Sequence, residues 1–208
     1  MFDIDGTLIE STDFDGECYV EAVKEITGKD INSNWNIYKN VTDSGILDEF
    51  LMHETDKKRL NKIKSDVKCL FIKKIQNYCE KNVVKPIDGA IDFLTEVKNA
   101  KGVSVSIATG GWLESAKIKL DAAGINYSGI PIASASDHFA RMEIMKLAIA
   151  NVGILKDSKI TYFSDGSWDE EASQALGWNF ILLGNKLESN VSIKNFNNIN
   201  WLKKKIGM

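Results

Sequence analysis

Two aspartates near the start of the chain have the spacing of a reactive pair. They are Asp3 and Asp5, within the segment Phe-Asp-Ile-Asp-Gly-Thr at residues 2–7. Alternate side chains of a strand share a face, so both carboxylates are expected on one side. Two carboxylates roughly 4 Å apart repel by about 4 kcal/mol at an effective dielectric constant near 20. A bound cation would remove this cost, and a solvated turn at Gly6 would avoid it. The stretch alone leaves both interpretations open.

Other polar residues follow predicted strands further along the chain. Thr109 follows the β-branched run at 103–108, and Asp165 follows the run at 159–164. The carboxyl ends of parallel strands meet at one edge, where such sheets bind ligands. We therefore expect these residues to converge with Asp3 and Asp5.

The elements that would position these side chains alternate between strand and helix through residues 84–183. The predicted strands are 103–108, 130–133, 159–164 and 179–183, with helices between them and a last helix at 201–206. This alternation predicts an α/β fold, a Rossmann-like parallel sheet flanked by helices. Asp88 is expected to cap the helix that follows it.

Residues 13–83 contain helical patterns, with a mixed stretch at 29–45, and no convincing strand. Apolar residues recur every three or four positions through 14–26, 46–53 and 56–81, and Thr42 or Asp43 is expected to cap the second of these helices. We interpret 13–83 as an inserted all-helical cap domain, and residues 1–12 and 84–208 as the α/β core.

The composition of the chain argues against several classes of protein. The 208 residues are 44% hydrophobic and carry a net charge of −3, which argues against a nucleic-acid partner. No apolar run is long enough to span a membrane, and the acidic N-terminus does not resemble a signal peptide, so we expect a cytoplasmic protein. Three cysteines without CxxC spacing predict reduced thiols, and neither a disulfide nor a zinc site. Nothing in the sequence implies an obligate protein partner.

The motif order resembles that of the haloacid dehalogenase superfamily. It runs Asp-x-Asp-Gly-Thr at 3–7, Ala-Thr-Gly-Gly at 108–111, a basic residue near 141, and Asp-Gly-Ser-Trp-Asp at 165–169. The resemblance covers nearly the whole chain and is closest to the phosphatase branch with a helical cap after the first motif, similar to phosphoglycolate phosphatase and β-phosphoglucomutase. The first and fourth motifs together are specific to this superfamily, whereas the threonine alone would be weak evidence for it.

The resemblance implies roles in phosphoryl transfer for the core residues. Asp3 would attack phosphorus and form an aspartyl phosphate, and Asp5 would protonate the leaving alcohol and later activate water. Thr109 and Gly110 would bind the phosphoryl oxygens. The substrate would be a small phosphorylated metabolite.

The resemblance also implies a Mg²⁺ site. Its ligands would be Asp3, Asp5 through its backbone carbonyl, and Asp165, while Asp169 would support that site or orient the basic residue. An oxygen-only ligand set suits this hard dication.

The basic residue departs from the Lys-Pro pattern of many relatives. We expect Arg141 rather than Lys146 to fill this role, because Arg141 has the usual separation from Asp165 and Lys146 falls inside a helix. A guanidinium can bind a phosphate at two points. Substrate selection is expected to fall to the cap face, with Thr42 and Trp112 among the candidates.

Three alternatives to hydrolysis differ in what they require of the sequence. A dehalogenase would lack the acid at Asp5. A β-phosphoglucomutase-like phosphotransferase would need a basic cap loop, which residues 36–50 do not provide. A catalytically weak binding or regulatory module is suggested by the few residues before Asp3, which predict a short first strand. Against it, every polar motif residue is present.

Overall fold

The computed structural model describes residues 1–153, 158–184, 189 and 191–208. The helices are α1 Thr12–Thr27, α2 Asp43–Phe50, α3 Lys57–Lys81, α4 Ala90–Asn99, α5 Leu113–Ala122, α6 Arg141–Ala150, α7 Ser167–Leu176 and α8 Ile199–Ile206, with a 3₁₀ turn at Trp35–Ile37. The strands are β1 Ile107–Ala108, β2 Ile132–Ala133, β3 Thr161–Ser164, β4 Asn179–Leu183 and β5 Ser192–Ile193.

Phe2 joins two sets of parallel strands. β1 pairs with β2, and β3 pairs with β4, which pairs with β5. Phe2 forms parallel bridges to Ile107 of β1 and to Phe163 of β3. Its carbonyl accepts from the Ala108 amide at 2.9 Å, and the Asp3 amide donates to the Phe163 carbonyl at 2.9 Å. The predicted parallel α/β fold is confirmed, with a first strand that is short but paired on both sides.

Side chains of these strands alternate between two apolar layers. Phe2, Ile107 and Phe163 belong to one buried cluster, which includes residues of α4 and α5. Their neighbours Ala108 and Tyr162 belong to the other, which includes residues of α6 and α7. Both faces of the sheet are therefore covered by helices, as expected for parallel strands.

Residues 13–83, here called the helical segment, form α1, the 3₁₀ turn, α2 and α3. α1 packs along α3, and α3 packs on α5 of the sheet region. Asp56 caps α3 by accepting from the amides of Lys58 and Arg59. None of the helices in the described ranges has the length and apolar character needed to span a membrane.

Thr42 caps α2 as expected, with its hydroxyl accepting from the Gly45 amide at 2.9 Å. Two other local predictions were wrong. The prediction for Asp88 was wrong, because Gly89 is the residue before α4 and no side chain caps that helix. The predicted strand at 103–108 is also too long, since only Ile107–Ala108 pairs with β2 as strand.

Candidate active site

A pocket of about 150 Å³ lies where β1, β3 and the Phe2 segment end. Its walls come from both the sheet region and the helical segment. The residues that line it are Asp3, Asp5, Thr12, Asp15, Gly16, Tyr19, Trp35, Val41, Thr42, Asp43, Ile46, Thr109, Gly110, Gly111, Arg141, Asp165 and Trp168. The structure thus brings together the motif residues that were expected to converge.

Asp3 is buried at the base of the pocket, with 6% of its surface exposed. Its Oδ1 lies 3.1 Å from Nη2 of Arg141 but accepts no hydrogen bond. Burial raises the pKa of Asp3 well above its usual range; Arg141 opposes this shift, and the carboxylates of Asp169, Asp5 and Asp165 add to it. These surroundings therefore leave Oδ1 of Asp3 without a hydrogen-bond donor, and they favour an additional positive charge beside this carboxylate.

Asp5 is held by a buried lysine that the sequence reasoning missed. Lys119 of α5 donates from Nζ to Oδ1 and Oδ2 of Asp5 at 2.6 and 2.7 Å, and to Oδ1 of Asp15 at 2.5 Å. Ser11 also donates to Oδ1 of Asp5, at 2.5 Å. Although burial opposes charge on Lys119, the two carboxylates raise its pKa above the usual value.

Thr109 and Gly110 form the wall after β1. The Thr109 amide continues the sheet by donating to the Ala133 carbonyl at 3.0 Å, and its hydroxyl accepts from the Gly111 amide at 3.1 Å. The Gly110 carbonyl accepts from the Asp43 amide at 2.8 Å, which fixes the start of α2 against this loop. Thr42 lies beside Gly110, and both residues line the pocket.

Arg141 is oriented by Asp169. The guanidinium donates to both carboxylate oxygens, through Nε to Oδ1 and through Nη2 to Oδ2, the latter at 2.5 Å. Ser164 donates to Oδ2 of Asp169 at 2.5 Å, and Nη2 of Arg141 also donates to the Tyr162 hydroxyl at 3.1 Å. Of the two roles expected for Asp169, this placement fits orienting the basic residue. The other candidate, Lys146, is half exposed and pairs with Glu143.

Asp165 lies against the backbone of the first motif. A Cβ atom at Gly6 would lie 2.1 Å from Oδ2 of Asp165, and Gly6 has a φ of 70°. Only glycine fits both conditions. This contact brings the Asp165 carboxylate next to the turn that follows Asp5.

The donor set fits a hard dication. No three His, Cys, Asp or Glu side chains of the described chain form a ready metal cluster. A Mg²⁺ site needs fewer, because one or two carboxylates, a carbonyl and waters suffice. Asp3 offers an oxygen that accepts no hydrogen bond. With Asp165 and the backbone carbonyl of Asp5, it would supply such a set.

Trp112 does not line the pocket. Its ring packs against Phe71 and Tyr19, with centroid separations of 5.6 and 6.0 Å. Its amide donates to Oδ2 of Asp43 at 2.8 Å, and its indole N–H donates to Ser44 at 2.9 Å. It therefore joins the start of α2 to the start of α5. Sequence reasoning also missed Asp15, Tyr19 and Trp35 in the pocket. Of these, only Tyr19 belonged to a predicted apolar helical pattern, which indicated packing.

Solved structures share this fold at low sequence identity. β-Phosphoglucomutase from Clostridium difficile matches with a TM-score of 0.77 and 15% identity, covering 99% of this chain and 95% of that chain. A variant of CbbY from Rhodobacter sphaeroides in complex with xylulose-(1,5)bisphosphate matches with a TM-score of 0.71 and 16% identity, covering 95% and 93%. A predicted phosphoglycolate phosphatase from Haemophilus somnus has a TM-score of 0.67 and 14% identity, with 97% and 96% covered.

Sequence comparison gives the family. None of the curated proteins matches this chain. The model of the haloacid dehalogenase-like hydrolase family matches residues 1–183, which include every motif of the pocket. The chain therefore belongs to the haloacid dehalogenase-like hydrolases.

Proposed function

We propose that this hydrolase is a magnesium-dependent phosphomonoesterase that acts on a small phosphorylated metabolite. The observation that carries the proposal is the convergence of Asp3, Asp5, Thr109, Arg141 and Asp165 around one pocket. These residues supply a nucleophile, a proton-transfer group, phosphate-binding groups and oxygen ligands. Phosphoryl transfer needs this combination, because positioning and charge stabilisation provide most of the catalysis.

The reaction proceeds in two displacements at phosphorus. A carboxylate oxygen of Asp3 attacks phosphorus, the bond from phosphorus to the ester oxygen breaks, and Asp5 gives its proton to the departing alcohol. Water then attacks the aspartyl phosphate, Asp5 takes a proton from that water, and the bond between phosphorus and Asp3 breaks to release phosphate. Asp3 and Asp5 are thereby returned to their starting states.

Arg141 and the loop at Thr109 and Gly110 would bind the equatorial oxygens of the transferring group. Asp169 holds the guanidinium at two points, so little reorganisation is needed when the phosphoryl group enters. Mg²⁺ at Asp3, Asp165 and the Asp5 carbonyl would neutralise the negative charge gathered in the site.

The helical segment acts as the cap of this enzyme, with residues 1–12 and 84–208 as the catalytic core. It contributes Thr42 and Asp43 to the pocket wall. These side chains would face the part of the substrate that departs as the alcohol. Thr42 is the substrate-binding residue of the cap in this proposal.

The test compares the protein with its Asp3→Asn variant. Hydrolysis of p-nitrophenyl phosphate and a panel of phosphorylated metabolites is measured with Mg²⁺ and with EDTA. We expect activity that requires the metal, a loss of at least about 1,000-fold in Asp3→Asn, and a phosphoryl adduct on the peptide containing Asp3. Asp92→Asn, an exposed aspartate of α4, is the control and should retain activity.

Other outcomes would contradict the proposal. Metal-independent turnover, or full activity in Asp3→Asn, would exclude this mechanism. Transfer of the phosphoryl group within a sugar phosphate without its release would indicate a mutase. No turnover across the panel, together with tight binding of a protein, would indicate a regulatory module.

A further inference from the structure

Lys119 is a fully buried lysine that connects the acid/base residue to the helical segment. None of its surface is exposed, and its ammonium has three acceptor contacts, two to Asp5 and one to Asp15. An ammonium group has three donors, so all of them are used. Asp15 belongs to α1, whereas Lys119 belongs to α5 of the sheet region.

The two oxygens of Asp5 have different surroundings. Oδ1 accepts from both Lys119 and Ser11, which fills its two acceptor positions. Within the described part of the chain, Oδ2 accepts only from Lys119. Oδ2 also faces the pocket wall, since it lies 3.8 Å from where a Cβ of Gly111 would be. One acceptor position of Oδ2 is therefore left for a substrate atom or a water.

We propose that Lys119 is a positioning residue that holds Asp5 with Oδ2 directed at the reacting oxygen, and that Asp15 ties this arrangement to α1. The inference rests on the proposed function, in which Asp5 transfers the proton. Lys119 touches no substrate in this scheme and acts through Asp5. Since the same ammonium group binds both carboxylates, movement of α1 would remove one anchor of Lys119 and thereby loosen its hold on Asp5.

The experiment measures kcat/KM for p-nitrophenyl phosphate and phenyl phosphate, which have similar shapes but different leaving groups. For a two-step hydrolase, this ratio reports events up to release of the alcohol. Phenolate is the poorer leaving group, so it depends more on the proton from Asp5. In Lys119→Met we expect kcat/KM for phenyl phosphate to fall about 100-fold, and at least about tenfold more than for p-nitrophenyl phosphate. Asp15→Asn should also lower kcat/KM for both esters, and more for phenyl phosphate, but both losses should be smaller than in Lys119→Met.

Lys117→Met is the matched control, because Lys117 lies on the same helix with an exposed side chain and should keep both values. Lys119→Met leaves two partly buried carboxylates without their cation. If its thermal unfolding shows that it is not folded, the double variant Lys119→Met with Asp15→Asn takes its place, with the same expected result.

The outcomes separate this inference from the function it rests on. Equal losses for the two esters, or no loss, would overturn the positioning role while leaving the phosphatase intact. If the unaltered protein with Mg²⁺ hydrolyses neither these esters nor any phosphorylated metabolite of the panel, the proposed function fails and the role of Lys119 fails with it.

Discussion

Gly110 and Gly111 are adjacent in sequence, but only Gly110 lies in a crowded place. A Cβ at Gly110 would lie 2.6 Å from Nη1 of Arg141 and 2.9 Å from the Val41 carbonyl oxygen. A Cβ at Gly111 would meet its nearest neighbour, the Thr109 hydroxyl, at 3.6 Å. At Gly110 the neighbouring atoms would have to move to admit a Cβ, whereas 3.6 Å at Gly111 is an ordinary van der Waals contact. Arg141 thus depends on the missing side chain at Gly110 for its position.

Gly110→Ala is expected to lower kcat/KM for p-nitrophenyl phosphate by about 100-fold, because displacing a binding group by about 1 Å has an effect of that size. Gly111→Ala is the comparison variant and should have a much smaller effect. Steady-state kinetics of the two variants give the result. Similar losses in both would show that the crowding at Arg141 is not the cause.

Individual site residues were predictable where a motif ended a strand. Asp3, Asp5, Thr109 and Asp165 were expected to meet because parallel strands end at one edge, and the pocket contains all four. Lys119 was missed, because lysines in a helical pattern usually face water. Its place on the apolar face of α5, next to the buried Leu120, was the available signal. Local sequence does not reveal which distant carboxylates will neutralise such a residue.

At the scale of elements, α2 and α3 both begin with a side-chain cap, but only one cap contacts the sheet region. Thr42 accepts from the Gly45 amide and donates to the Phe139 carbonyl at 2.6 Å. Asp56 accepts from amides of its own helix, in an exposed position. The start of α2 is also attached to the loop after β1 through Asp43.

Thr42→Val and Asp56→Ala should therefore have similar effects on stability but different effects on activity. Each is expected to lower the free energy of unfolding by about 1 kcal/mol through loss of a helix cap. Only Thr42→Val should also lower kcat/KM, because it loosens the start of α2, which lies against Gly110. Denaturant titration and kinetics on p-nitrophenyl phosphate provide the two measurements. A loss of activity in Asp56→Ala as large as that in Thr42→Val would contradict the distinction.

Long elements were easier to predict than short ones. α3 has a continuous apolar stripe containing Val67, Phe71 and Ile75, and its observed bounds agree closely with the predicted helix. β5 has two residues and was not predicted. The length of a strand depends on where its neighbour offers backbone partners, which the local pattern does not contain. This also explains why β1 is shorter than the β-branched run before Thr109.

At the scale of the whole molecule, the pocket has an uneven charge distribution. Of the residues that line it in the described structure, Arg141 is the only cation, and it already contacts Asp169 and Asp3. The helical segment adds Asp15 and Asp43 to the wall. A second anionic group on the substrate would find no unpaired cation there, and a buried charge without a partner is costly.

We therefore expect 2-hydroxyethyl phosphate to be hydrolysed better than 2-phosphoglycolate, which has the same carbon chain ending in a carboxylate. The expected ratio of kcat/KM is at least about tenfold, corresponding to about 1.4 kcal/mol. Val41→Lys, which adds a cation to the pocket wall, should lower the ratio of kcat/KM between 2-hydroxyethyl phosphate and 2-phosphoglycolate. Equal or better hydrolysis of 2-phosphoglycolate by the unaltered protein would refute this charge argument.

The central position of Phe2 has a consequence for the dynamics of the protein. Its carbonyl and the Asp3 amide hold β1 and β3 on either side of the backbone that carries Asp3. The amide protons of Ala108 and Asp3 can exchange with solvent only when these bonds open. Their exchange rates thus report the rare openings in which the sheet divides and the residues that line the pocket separate.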